Sequence, residues 1–153
     1  MADQCWVDAW AFDRLAGQHA AAPAPAAAGQ ALQLYQGHFL QRESSRGWMH
    51  GYRDRLRSRF QRLVATEGSR LEACGRLQDA VAFYERGIEL DPLAEALYQR
   101  LMCCHRDQGA LADVLSVYRR CREHLQFEFG IEPAAATQAI RRTACGVGAS
   151  PTP

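Results

Sequence analysis

Apolar residues recur along this chain every three to four positions, the interval at which one face of an α-helix returns. β-branched residues are sparse and no stretch alternates apolar and polar positions, so the pattern predicts helices and no strand. Trp6, Trp10, Phe12 and Leu15 mark a short opening helix, with Asp8 as its candidate N-cap. "HAAAPAPAAAG", His19 to Gly29, carries two prolines that interrupt a helix and reads as a mobile or loosely packed connection. A short helix follows around Ala31 to Gly37. Phe39 and Leu40 form an anchor before a loop through Ser44, Ser45, Arg46 and Gly47.

A long helix then runs from near Trp48 to Cys74, with Trp48, Tyr52, Leu56, Phe60, Leu63 and Leu71 close to one face and Val64 and Gly68 beside it. Trp48 is expected to anchor the junction between the loop and this helix. Gly75 supplies a left-handed cap. The next helix, Leu77 to Leu90, turns Ala80, Tyr84, Gly87 and Ile88 inward and stops at Asp91-Pro92, because proline disfavours helical geometry in the residue before it. Pro92 suits the first turn of the following helix, Leu93 to Gln108, with Leu97, Tyr98, Leu101, Met102 and His105 inward. Gly109 ends it. Leu111 to Phe127 buries Val114, Tyr118 and Cys121. "EFGIEP" turns the chain into a last helix, Ala135 to Ala144, and "GVGASPTP" has nothing to pack with.

These helices repeat. Gly75 and Gly109, Ala80 and Val114, Tyr84 and Tyr118, Gly87 and Cys121, Val64 and Tyr98, and Gly68 and Met102 all lie 34 residues apart. That period is the signature of tetratricopeptide helix pairs, which stack because one pair cannot bury its apolar face alone. The small residues let helices approach, and each tyrosine fills the gap to the next pair. Glu67 stands where such repeats usually carry leucine, so that position is expected to open to solvent. Ala31 and Tyr35 read as remnants of the second helix of a degenerate earlier unit. The expected fold is all-α, a tetratricopeptide-like right-handed stack of antiparallel helix pairs with about seven helices. Residues 1–145 form its single domain, 19–29 its Pro/Ala-rich connection, and 146–153 a disordered tail.

"DPLAEALYQRLM", a glycine hairpin, "VYRRCREHL" and "EFGIEPAAAT" together resemble the bacterial transcriptional activator domain, the tetratricopeptide-like module of antibiotic regulatory proteins and related regulators. "ALQLYQGHFL", Trp48 with "YRDRLRSRF", and "CWVDAWAFDRL" are similar to that family's earlier segments. The resemblance spans roughly Trp6 to Arg142; Phe129 stands where the family usually has leucine. It implies a non-catalytic regulatory module of a bacterial transcription regulator. The protein partner would be a regulator, RNA polymerase or a second copy in a homodimer. DNA would be reached only through a separate winged-helix domain, for which this sequence has no room before Trp6. A generic tetratricopeptide adaptor or chaperone is the rival reading, and a small-ligand sensor a further one.

Composition changes little in this picture. The chain has 153 residues, 48% hydrophobic and 23% charged, which suits one globular domain, and its net charge of +1 argues neither for nor against a highly charged partner over the whole surface. No apolar run reaches the ~20 residues of a membrane helix, no secretory signal opens the chain, and a cytoplasmic location is expected. Six cysteines without regular CxxC spacing read as reduced, buried thiols. Cys103, Cys104 and His105 are adjacent on a helix and point apart, so no metal site is expected. No nucleophile–base pattern or phosphate loop appears, so neither an enzyme nor a cofactor is expected.

The first helices of stacked pairs line a concave surface. By the repeat register Arg62, Ser69, Glu72, Gln99, Arg106 and Asp107 line it, as a groove for a partner's helix or extended segment. Arg53, Arg55, Arg57, Arg59 and Arg62 spread around their helix at ~100° per residue, although Arg55, Arg59 and Arg62 share a basic stripe. Salt bridges to Glu and Asp on neighbouring helices, or a surface for polymerase or a regulator, are stronger expectations for them than phosphate binding.

Overall fold

The computed structural model describes residues 2–22, 25–35 and 47–146, with the side chains of 2–7 and 47–49 outside that description. The described residues form α1 (Ala2–Ala21), α2 (Pro25–Leu34), α3 (Gly47–Ala73), α4 (Leu77–Leu90), α5 (Glu95–Asp107), α6 (Leu111–Phe129) and α7 (Ala135–Ala144), with no strand among them. α1 packs on α2, α3 on α4 and α5 on α6, so three helix pairs follow one another. The first helices of the pairs touch in turn, α1 on α3, α3 on α5 and α5 on α7, while α4 also packs on α5. α7 covers the last pair as a single helix.

The two glycine turns are copies. Gly75 has φ 74° and donates to the Glu72 carbonyl at 2.9 Å, while Arg76 donates to Leu71 at 2.9 Å. Gly109 has φ 73° and donates to Arg106 at 2.9 Å, while Ala110 donates to His105 at 2.9 Å. Each turn satisfies the last carbonyls of a helix through a left-handed residue that glycine adopts at little cost.

The small residues at the helix crossings have the expected purpose. A Cβ on Gly68 would lie 2.3 Å from the Tyr84 ring, and one on Gly87 would lie 2.7 Å from a Val64 methyl. Tyr84, Tyr98, Phe60, Val64 and Val114 are fully buried, as are Ala80, Leu101, Met102 and Cys121. Each large apolar side chain withdrawn from water in this way contributes roughly 1.5–3 kcal/mol. The earlier pair is anchored by an aromatic column. Tyr35 stacks on Phe60 with centroids 4.0 Å apart, and Phe12 packs against Tyr35 at 5.3 Å. Ala28 and Ala31, both 0% exposed, let α2 close on its neighbours.

The structure departs from the expectations in several places. The opening helix is long, so Asp8 lies within it and does not cap it. The described residues of the stretch from His19 to Gly29 are mostly helical, where a loosely packed connection is expected. α1 continues through His19 to Ala21, and α2 begins at Pro25 and buries Ala27 and Ala28. Proline at a first helical position removes only an N–H that has no partner there. Pro92 sits in a turn ahead of α5, which starts at Glu95, and α6 runs on to Phe129 before the left-handed Gly130. The five described cysteines are free; Cys104 and Cys121 are buried, whereas Cys74, at the end of α3, is exposed. The expectations for Cys5, Gly37, Phe39, Leu40, the Ser44–Arg46 loop, the Trp48 side chain and the 147–153 tail lie outside the described residues.

Glu67 gives the clearest correction. It is 3% exposed, not open to solvent. Arg70, one turn along α3, grips it with Nε and a terminal nitrogen at 2.8 and 2.7 Å, and buried His19 of α1 places Nε2 3.7 Å from its Oε2. The longer α1 closes over this position, and the charge enters the interior with its counter-ion.

Candidate functional site

The layer of first helices, α1, α3, α5 and α7, is joined by polar side chains. Between α1 and α3, Arg59 donates to the Asp13 carboxylate. Between α3 and α5, Arg100 donates to both Glu72 oxygens at 2.9 and 3.0 Å, to Ser69 Oγ at 2.9 Å and to the Tyr84 hydroxyl at 3.3 Å. Tyr84 in turn donates to Glu72 at 2.6 Å. Burial, then the Glu72 hydrogen bond, pushes the Tyr84 hydroxyl up to about 12. The Tyr84 hydrogen bond leads the causes that raise the Arg100 guanidinium above its ordinary value. Between α5 and α7, Gln99 donates to Thr137 Oγ1 at 2.8 Å, while the Thr137 hydroxyl and the Ala134 amide donate to Glu95.

The six residues expected to line the groove therefore divide. Ser69 and Glu72 are half-buried and held by Arg100, and Gln99 is half-buried beneath α7. Arg62 is exposed on α3, and no carboxylate pairs with it among the described residues. Arg106 and Asp107 are exposed and pair with one another at 2.9 Å at the end of α5. The basic stripe is interrupted: Arg55 and Arg62 are exposed, but Arg59 is committed to Asp13. Arg57 points to the opposite side of α3, where it holds Asp91. Arg100 is not among the residues that the sequence reading singles out, although it neighbours Gln99. A salt bridge is expected for Arg57 but its partner Asp91 is not named, although their 34-residue separation was an available signal.

Two clefts border this layer. One, about 390 Å³, lies between α1 and α3 and is lined by Ala16, Gly17, Ala20, Arg62, Leu63 and Thr66, with His19 and Arg59. The other, about 350 Å³, lies among α2, α3 and α4. Among the described residues no group of three or more His, Cys, Asp or Glu side chains is placed to hold a metal ion. Cys103 is half-buried, Cys104 is buried, and His105 is half-buried with Nδ1 4.0 Å from Asp113. Among the same residues no helix is long and apolar enough to cross a membrane. Phe127, Phe129 and Ile131 are exposed at 89, 56 and 51%, beside the turn into α7.

Stacked helix pairs with small residues at their crossings and a polar inner layer define a tetratricopeptide-like helical fold. The family model described as "Bacterial transcriptional activator domain" matches residues 7–143, and the chain belongs to that family. The family is a regulatory one, which places this chain in bacterial transcriptional activation. Neither the comparison with curated proteins nor that with solved structures returned a match.

Proposed function

We propose that this chain is a non-catalytic interaction domain, spanning residues 1–145, that couples a partner or signal to transcription activation in the bacterial cytoplasm. The family match over residues 7–143 carries this reading. The partner is a protein: a regulator, RNA polymerase or a second copy of the chain. DNA contact belongs to a separate winged-helix domain.

The layer of α1, α3, α5 and α7 supports a rigid platform. Its Arg100, Thr137 and Asp13 links hold neighbouring helices in fixed register, so a partner meets a pre-organised surface and little ordering cost is left to binding. Arg62, Arg106 and Asp107 are the exposed groups that contact it, whereas Ser69, Glu72 and Gln99 keep the surface in shape.

The test is affinity recovery of RNA polymerase and of tagged second copy by the chain, with Arg62→Glu and Arg106→Glu variants beside an Arg86→Glu control in the Arg86–Glu89 surface pair. Recovery of one of them should fall with the first two variants and persist with the control. Unchanged recovery by all three rejects the platform. In a mobility-shift assay the chain alone should give no sequence-specific shift, and such a shift would overturn the assignment.

A further inference from the structure

The α1–α3 cleft has the make-up of a ligand site. On α1, Ala16, Gly17 and Ala20 leave room where larger side chains would close the helices together. On α3, Arg59, Arg62, Leu63 and Thr66 follow the i, i+3, i+4, i+7 spacing of a single helix face. The volume, about 390 Å³, lies within the range of small-molecule pockets, ~300–1,000 Å³. Ala16, Ala20 and Leu63 make an apolar wall, and Thr66 and Arg62 offer hydrogen-bond donors beside it.

Charge separates this cleft from its neighbour. In the α2–α3–α4 cleft, Arg70, Arg76 and Arg86 all have carboxylate partners in Glu67, Asp79 and Glu89. In the α1–α3 cleft Arg59 is neutralised by Asp13, but Arg62 has no carboxylate partner among the described residues. No Asp or Glu belongs to the lining. The cleft thus presents one uncompensated guanidinium over an apolar floor.

We infer that the α1–α3 cleft binds a small organic monoanion, with its carboxylate on Arg62 and its apolar body against Ala16, Ala20 and Leu63. A single uncompensated cation suits one negative charge, not a polyphosphate. A planar guanidinium matches a carboxylate through two parallel hydrogen bonds. The site shares Arg62 with the proposed partner surface, but it is tested on the chain alone, so failure of one reading is distinguishable from failure of the other.

The experiment titrates the full chain with sodium benzoate, following amide chemical shifts, with benzyl alcohol as the neutral isostere and inorganic phosphate as the anion without an apolar body. Benzoate should give saturable shifts clustered at Gly17, Ala20, Arg62 and Thr66, with benzyl alcohol and phosphate each at least about tenfold weaker. Arg62→Gln, at an exposed position, should weaken benzoate about tenfold without altering the fold. Gly17→Phe should abolish binding by filling the cleft. A Cβ at Gly17 meets nothing within 4 Å, so this variant is expected to fold. Scattered or non-saturating shifts, equal binding of benzyl alcohol or phosphate, or benzoate affinity unchanged in Arg62→Gln would each overturn the inference.

Discussion

Arg57 holds Asp91 from one repeat away. Its Nε and a terminal nitrogen each donate to a different carboxylate oxygen at 2.8 Å, and the two residues are 34 positions apart. Asp91 is 1% exposed and also accepts from Gln61 Nε2 at 2.7 Å. The hydrogen bond to Asp91 is the leading cause that raises the Arg57 guanidinium above its ordinary value. A buried carboxylate thus fixes the turn between α4 and α5 against α3. Arg57→Ala should cost about 2–3 kcal/mol, below the ~3–5 expected for a fully buried pair because Arg57 is one-third exposed. Arg57→Met combined with Asp91→Leu should recover part of that loss, since no charge is then stranded. Urea midpoints of the three proteins check both statements.

Gly68 and Gly51 lie on the same helix and should respond oppositely to alanine. At Gly68 the new methyl meets the Tyr84 ring at 2.3 Å, so Tyr84 must move and its bonds to Glu72 and Arg100 must stretch. A loss of about 2–4 kcal/mol is expected. At Gly51 nothing lies within 4 Å, and alanine should add about 0.5–1 kcal/mol through helix propensity. Thermal unfolding of the two variants should bracket the parent.

Glu67 tests whether a buried charge in place of leucine costs stability. Glu67→Ala leaves Arg70 and His19 around an empty site and should destabilise by about 2–4 kcal/mol. Glu67→Leu together with Arg70→Leu should lie much closer to the parent, because both charges leave together. Equal losses in the two proteins would contradict this account.

Alkaline pH should unfold the chain through its buried thiols first. Burial pushes Cys104 and Cys121 from an ordinary 9.0 up to about 12. The unfolded chain therefore releases these protons while the folded one retains them, and stability falls as pH rises. The protection is complete below pH 9 and is lost between pH 9 and 12. Tyr84 and Tyr35, raised from 10.0 to about 12 mainly by burial, join above pH 10. A pH series of urea midpoints should be steeper above pH 9 than below it, and a Cys104→Ala, Cys121→Ala double variant should lose the slope between pH 9 and 10.

The periodic part of the fold was legible from spacing alone. α4 and α7 fall at their predicted bounds, and Gly75, Gly109, Tyr84 and Tyr98 take the places their 34-residue partners imply. Such features are local: a turn needs its glycine, and a crossing needs its small residue. The front of the chain is less legible because proline breaks most helices, whereas Pro25 begins one in which Ala27, Ala28 and Ala31 are packing surface. Glu67 was misplaced because its environment is built by His19, 48 residues earlier, and nothing nearby in sequence signals that cover. The bonding of half of the candidate groove is hidden from the sequence for a related reason. Register gave the side on which Ser69, Glu72 and Gln99 lie, but not that Arg100 and Thr137 would occupy their hydrogen-bonding groups.

α7 bears on how this stack can grow. Thr137 is wedged between Glu95 and Gln99, and Arg141 lies over the Tyr118 ring at 4.6 Å, so the flank of α5 and α6 that another pair would need is already sealed. α7 stands in that flank as a first helix does in the earlier layers, so a segment that lengthened the stack would have to pack against α7 as the second helix of its pair.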